Sequence, residues 1–138
     1  MWRANVMPMS GSTDQAEIAR AFSQHRFVDA LPHLAPDVRW TIVGYSVLEG
    51  ADAVVRTCRD TAGSLDETAA SWDRCLTVTQ DDTVVVEVVG RYTRPDGVTT
   101  VATCYIYEFA GGRIASITSY AVEVDPDSDG APPNAISR

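Results

Sequence analysis

The sequence predicts an α+β domain in which three helices pack on one face of a curved antiparallel sheet. Helix-type segments come first, with one early strand among them, and four strand-type runs follow one another up to residue 124. The last two runs are rich in Val, Ile, Thr and Tyr and flank Ala-Gly-Gly-Arg at residues 110–113. Glycines supply the positive φ that a tight turn needs, so this segment is predicted to be a β-hairpin.

The first helix is predicted to begin at Ser12 or Asp14, because each has a Gln or Glu three residues on, as in a capping box. A second short helix continues its apolar face and ends at Pro36-Asp37, with Pro32 making its bounds uncertain. The predicted apolar stripe of these two helices comprises Ile18, Phe22, Phe27 or Val28, Leu31 and Leu34.

An early strand is predicted over residues 38–43, ending at Gly44, and Leu48-Glu49-Gly50 leads into a third helix over residues 51–61. Apolar and polar residues alternate over residues 71–79, which is typical of a half-buried strand. A long strand follows over residues 83–94, and Pro95-Asp96-Gly97 turns the chain into the final hairpin.

Composition indicates one domain, residues 13–124, preceded by a flexible arm at residues 1–12 and followed by a disordered acidic tail at residues 125–138. Of the 138 residues 45% are hydrophobic, which is enough for a packed core. The net charge of −8 argues against nucleic-acid binding, because a phosphate backbone requires clustered Lys and Arg.

The three cysteines, Cys58, Cys75 and Cys104, are widely spaced and contain no C-x-x-C pair. We interpret them as small buried hydrophobes in a reducing compartment, and predict neither a metal site nor a cofactor. No apolar run approaches the length of a membrane span, and the N-terminus lacks a signal-peptide core. The sequence therefore predicts a cytoplasmic protein without a membrane partner.

Several motifs resemble the NTF2-like superfamily, and within it the SnoaL-like group. They are Leu34-x-x-Asp37-Val38-x-Trp40, Gly44, Leu48-Glu49-Gly50, the segment Tyr107-Glu108-Phe109-Ala110-Gly111-Gly112-Arg113-Ile114, and Ser119-Tyr120. The resemblance implies a cone-shaped pocket between helices and sheet, and a homodimer through the outer face of the sheet. It leaves the activity open, because the superfamily includes isomerases, epoxide hydrolases, dehydratases, cyclases and non-catalytic modules.

Each catalytic set known in the superfamily lacks a member here. The position of the ketosteroid-isomerase base falls on Ile42 or Val43, and its acid position falls on Tyr105. The final acid of limonene-type epoxide hydrolases falls on Ser119. Glu87 and Arg91, four residues apart in one strand, are about 13 Å apart and too distant to pair. The SnoaL-type His and Asp are replaced by Tyr105 and Ser119.

The alternation of the last hairpin places Tyr105 and Tyr107 on one face with Thr103 and Phe109. A buried hydroxyl needs a partner, so this face is predicted to line a pocket, with Ala115, Ile117, Ser119 and Ala121 opposite. A register slip of one residue would instead place Cys104, Ile106, Glu108 and Tyr120 inside. Trp72 is interpreted as a core residue.

Two hypotheses follow. The first is a protein that binds a small hydrophobic molecule, with Tyr105 as hydrogen-bond donor and Asp60 or a bound water as proton acceptor if it catalyses isomerisation, cyclisation, dehydration or hydrolysis. The second is a non-catalytic ligand-binding or dimerisation module. His33 near Asp37 could act as a base, although a solvated histidine at a helix end is the more common role, and His25 lies in the same helical region. The predicted ligand-binding residues are Phe22, Trp40, Ile42, Cys58, Thr103, Tyr107, Ile117 and Ser119.

Overall fold

The computed structural model describes residues 11–65, 69–125, 127 and 130–132, with side chains described from Gln15 onward. Most of the predicted arm and tail therefore lie outside the described residues. The elements are α1 (Gly11–Ser23), α2 (Phe27–Ala30), a 3₁₀ turn (Leu31–His33), β1 (Leu34–Ile42), β2 (Ser46–Glu49), α3 (Ala51–Ser64), β3 (Ala69–Gln80), β4 (Thr83–Arg94), β5 (Gly97–Ala110) and β6 (Arg113–Val124). Over these residues the fold is mixed α+β, with three α-helices and a six-stranded sheet.

The six strands form one sheet in the order β2-β1-β6-β5-β4-β3. All neighbouring pairs are antiparallel except β1 and β6, which run parallel. The expectation of a wholly antiparallel sheet was therefore wrong at this pair. The chain leaves β2 through α3, enters the sheet at its far edge, and returns strand by strand until β6 meets β1 in the same direction.

The N-terminal region differs from the prediction in two ways. The second helix is a single turn followed by a 3₁₀ turn, and Leu34 begins β1 instead of continuing a helix. Pro36 is tolerated in β1 because the pairing with β6 is irregular between Leu34 and Arg39, and no ladder hydrogen bond is required of it there. Strand β2, which was not predicted, is a short edge strand that folds back onto β1 after Gly44 (φ 88°).

The predicted final hairpin is confirmed. Gly111 and Gly112 have φ values of 60° and 79°, as the central residues of a type I′ turn require. Tyr105 pairs with Ser119 and Tyr107 with Ile117, so the preferred register is correct and the slipped register is wrong. An irregularity after Glu108 places Ile114, not the predicted Ala115, opposite Phe109.

The core lies between the helices and the inner face of the sheet. Helix α1 contributes Ala19 and Phe22, and α3 contributes Val54 and Cys58, at spacings that repeat along one helical face. The inner face of the sheet contributes buried residues at alternating positions, namely Val84, Val86, Val88, Tyr105, Tyr107, Phe109, Ile114 and Ile117. This packing fixes which tyrosine hydroxyls point toward the helices.

Candidate functional site

Phe22 occupies the centre of the space where the sequence predicted a hollow. Its ring makes edge-on contacts with Phe27, Trp40, Tyr105 and Tyr107 at centroid distances of 5.6, 5.2, 6.2 and 5.9 Å. The side chain of Phe22 is 1% exposed. The expectation of an open cone is therefore wrong at this point, because aromatic side chains from both layers fill it.

The hydroxyl of Tyr107 has a structural partner. Ser23 Oγ donates to the backbone oxygen of Ala19 at 2.8 Å, so the Tyr107 hydroxyl, 2.7 Å away, donates to Ser23 Oγ. Tyr107 is fully buried, and burial raises the pKa of its phenol. The pair ties β5 to α1, and the Tyr107 hydroxyl therefore has no proton left to donate to a ligand.

Trp40 and Ser119, both predicted to bind ligand, contact each other. Trp40 Nε1 donates to Ser119 Oγ at 2.9 Å across the β1–β6 pair. Ile42 is half-buried and pairs with Ser119 in the sheet. The three residues thus lie together on the inner face, with the polar atoms of Trp40 and Ser119 already joined.

Tyr105 is different, since its hydroxyl makes no hydrogen bond to a described residue and is not sealed from solvent. Its ring stacks on that of Tyr107 with centroids 5.7 Å apart, and the residue is 7% exposed. Burial raises the pKa of its phenol, and the proximity of Tyr92 and Cys58 raises it further. Tyr105 is therefore a neutral phenol whose donor is not used by another described residue, and its role in binding a ligand stays a prediction.

His25 and Tyr92 form a second polar pair beside Tyr105, one that the sequence analysis did not assign. His25 Nε2 lies 2.9 Å from the Tyr92 hydroxyl, while Nδ1 is buried without a partner. The imidazole packs against Phe27 and Trp72, with centroids 5.4 and 5.5 Å away. Burial lowers the pKa of His25, so the ring is neutral at pH 7. Trp72, interpreted as a core residue, is half-buried beside this pair.

Gly90 is the sequence signal that could have located this pair. A Cβ at Gly90 would lie 2.7 Å from a carbon of Trp72 and 3.0 Å from the Tyr92 hydroxyl. Glycine within a long strand often marks a close approach by another group. Here the missing side chain makes room for the Trp72 ring and the Tyr92 hydroxyl above the sheet.

An apolar groove of about 530 Å³ lies between α2 and α3. Its walls are Phe27, Val28, Leu31, Pro32, Val55, Cys58, Arg59 and Ala62. Two wall residues connect it to the polar groups described above, since Phe27 contacts His25 and Cys58 lies close enough to Tyr105 to influence the pKa of its phenol. Cys58 is 1% exposed, and burial raises the pKa of its thiol to about 12. We call the groove together with His25, Tyr92 and Tyr105 the α2–α3 site.

The other candidate residues lie elsewhere. Asp60 is exposed on α3, next to Arg56 and Arg59, and the structure does not bring it to Tyr105. Thr103 and Ile117 are on the inner face of the sheet, opposite Ala121 and Tyr107. Asp60 is thus separated from the other predicted site residues.

As predicted, Glu87 and Arg91 do not pair with each other. Both lie on the outer face of β4, and each binds a residue of β3 instead. Arg74 Nε lies 2.6 Å from Glu87, and Arg91 Nη2 lies 2.7 Å from Asp73. These charges therefore belong to the outer face and not to the α2–α3 site.

Within the described part of the chain, no group of His, Cys, Asp and Glu side chains is arranged to hold a metal ion. In the same part, no helix is both long enough and apolar enough to cross a membrane. The α2–α3 site offers a ligand mainly aliphatic and aromatic side chains, together with two phenols, an imidazole, the Cys58 thiol and, at its edge, Arg59.

Fold and site together define a class of small α+β proteins whose helices cover an aromatic sheet face. The model of the SnoaL-like domain family matches residues 16–117. The chain belongs to this family, which is part of the NTF2-like superfamily. A search of curated proteins gave no match.

Solved structures share the fold. An NTF2-like protein of unknown function from Cytophaga hutchinsonii is 25% identical, with a TM-score of 0.73 over 82% of this chain and 100% of that one. A protein from Xanthomonas campestris that is described provisionally as a polyketide cyclase is 16% identical. Its TM-score is 0.64 over 80% of this chain and 92% of that one. An LEH-like epoxide hydrolase from M. tuberculosis is 18% identical, with a TM-score of 0.62 over 82% and 86%.

Proposed function

We propose that this protein binds a small, largely apolar molecule in the groove between α2 and α3. The observation that carries the proposal is a groove with apolar walls, one of whose residues, Cys58, lies near the nearly buried phenol of Tyr105, which makes no hydrogen bond to a described residue. Ligand sites are commonly apolar concavities with a few convergent polar groups. Structures that share the fold include a polyketide cyclase and an epoxide hydrolase, which supports a small-molecule ligand.

Binding is better supported than catalysis. A general base must lie within hydrogen-bond reach of the proton that it removes. Asp60 is exposed on the far side of α3 from Tyr105, and Ile42 and Val43 stand where the resemblance places a base. If the protein is an enzyme, we propose that Tyr105 donates a hydrogen bond to the substrate and that a bound water accepts the proton.

The groove can be tested by filling it. Ala62 is exposed on its wall, so Ala62→Trp should block the groove without disturbing the core. Arg56→Trp, at an exposed position on another face of α3, is the matched control. We would screen steroid, terpene and polyketide-like compounds by thermal shift and confirm hits by native mass spectrometry. Hits should bind the wild type and Arg56→Trp but not Ala62→Trp, and the absence of any hit would contradict the proposal.

The alternative is a non-catalytic dimerisation module that pairs through the outer face of the sheet. That face exposes large apolar side chains, namely Val78, Val98, Tyr120 and Val122, which are 55%, 58%, 48% and 61% exposed. Exposed apolar patches on a sheet often mark contact surfaces. We propose a homodimer through this face, to be tested by sedimentation equilibrium of the wild type and of Val122→Lys. A wild-type monomer would contradict it.

The three thiols are all free. Free cysteines are typical of reducing compartments, which supports our proposal that the protein is cytoplasmic.

A further inference from the structure

We propose that the α2–α3 site takes a neutral ligand carrying a hydroxyl or carbonyl group, which Tyr105 and the His25–Tyr92 pair bind. This inference rests on the proposed function, because it specifies the chemical class of the molecule that the same groove accepts.

Two polar groups in this part of the molecule lack partners. His25 Nδ1 is buried and unpaired, whereas the Tyr105 hydroxyl, in a residue that is 7% exposed, is not sealed from solvent and makes no hydrogen bond to a described residue. Buried polar groups in folded proteins are nearly always hydrogen-bonded to protein or water, so unpaired ones require an explanation. A ligand hydroxyl or carbonyl within reach of either group would supply a partner, since a phenol both donates and accepts and a neutral imidazole has one donor and one acceptor nitrogen.

The surroundings of these groups favour a neutral ligand. Phe22 packs edge-on against Tyr105, and Phe27 and Trp72 pack against His25, so aromatic rings surround both groups on these sides. Burying an ion in such a setting is costly unless an opposite charge accompanies it. A carboxylate or ammonium group on the ligand would therefore be rejected at this depth.

Two arginines lie at the margins of the α2–α3 site. Arg94 acts electrostatically on Tyr92 and is exposed near the end of β4, while Arg59 is exposed on the groove wall. Because both guanidinium groups face solvent, they can attract an anion to the rim but do not accompany it to Tyr105. An anion held by Arg59 at the rim is therefore the alternative binding mode, which the experiment must distinguish from binding of a neutral ligand at Tyr105.

Helix α2 provides the route from the groove to the polar groups. It has four residues and no side-chain cap, and it follows His25, whose φ of 61° is uncommon for a residue other than glycine. So short a helix has little stability of its own, and Val28 on it is 88% exposed. Displacement of α2 would move Phe27 away from His25 and open the groove toward Tyr105.

The test compares three probes of similar shape: naphthalene, 2-naphthol and 2-naphthoate. Dissociation constants for the intact chain would be obtained from NMR titrations at pH 7.5. We expect 2-naphthol to bind about tenfold more tightly than either other probe, since one hydrogen bond made by an otherwise unpaired buried group is worth roughly that factor. Tyr105→Phe should remove the preference for 2-naphthol while leaving naphthalene binding unchanged.

The control is Tyr107→Phe, because the Tyr107 hydroxyl is used by Ser23 and its loss should keep the preference. His25→Asn, which tolerates a positive φ, should reduce the preference. If Tyr105→Phe or His25→Asn keeps the full preference for 2-naphthol, the substituted side chain does not bind the ligand hydroxyl, and its assignment is overturned.

The outcomes separate the two proposals. If none of the three probes binds, the proposed function fails. If all three bind equally, the groove is supported and the neutral-ligand inference is overturned. If 2-naphthoate binds most tightly and Arg59→Gln abolishes that binding, the groove instead selects anions at its rim, which also overturns the inference.

Discussion

Removing the hydroxyl should lower the unfolding free energy at one inward tyrosine of β5, Tyr107, but not at the other, Tyr105. The Tyr107 hydroxyl donates to Ser23 Oγ in a fully buried setting. Tyr107→Phe leaves Ser23 bonded to Ala19, so the loss is one net hydrogen bond, or about 1 kcal/mol of unfolding free energy. Tyr105→Phe removes a hydroxyl without a partner, and the unfolding free energy should stay within about 0.5 kcal/mol of the wild type.

Ser23→Ala should cost more than Tyr107→Phe. It removes the acceptor of a fully buried phenol, and an unpaired buried donor costs about 1–3 kcal/mol. In the double variant Ser23→Ala/Tyr107→Phe that orphaned hydroxyl is absent, so the two costs should not add, and the coupling should be about 1 kcal/mol.

Urea denaturation followed by tryptophan fluorescence measures all these variants, and an unchanged m-value would show that the comparison concerns the folded state. Equal losses for Tyr105→Phe and Tyr107→Phe would refute the reasoning. Additive costs in the double variant would refute the assignment of the Ser23 bond.

Three further changes have defined outcomes. Gly90→Ala places a methyl group 2.7 Å from an aromatic carbon and should destabilise the fold by about 1–3 kcal/mol in urea melts, whereas Gly63→Ala, in open space on α3, should not destabilise it. Burial lowers the pKa of His25, so its imidazole binds a proton more tightly in the unfolded chain than in the folded one. The unfolding free energy should therefore be highest above the ordinary histidine pKa of 6.5 and should fall as the pH drops through that value. His25→Asn should flatten this dependence in melts between pH 7.5 and 5, while the exposed His33→Gln should not, and identical slopes would exclude His25. Cys58, 1% exposed with a pKa of about 12, should resist iodoacetamide at pH 8 until urea is added, as peptide mapping would show.

The sequence was informative where local chemistry determines local structure. The two glycines at the 110–113 turn require positive φ, and the alternation around Tyr105 fixed the face that packs on the helices. The short strand β2 was missed because only Leu48 of its four residues is partly buried and the strand is held by pairing with β1. Such pairing depends on contacts between segments and not on the segment itself.

The candidate site was predictable in part. Tyr105 was identified because its strand position and hydroxyl are visible in the sequence. His25 and Tyr92 lie 67 residues apart and meet because α1 ends above the far part of β4, a proximity that no local pattern encodes. The predicted hollow failed at Phe22, since side-chain volumes in two layers, and not the curvature of the sheet alone, decide whether space remains.

NMR chemical-shift mapping of 2-naphthol binding tests the central claim most directly. The account predicts that the largest shifts fall on the groove residues Leu31, Val55 and Cys58 and on Tyr105, and that Ala62→Trp abolishes them. Shifts confined to the outer face, around Tyr120 and residues near it, would contradict the account.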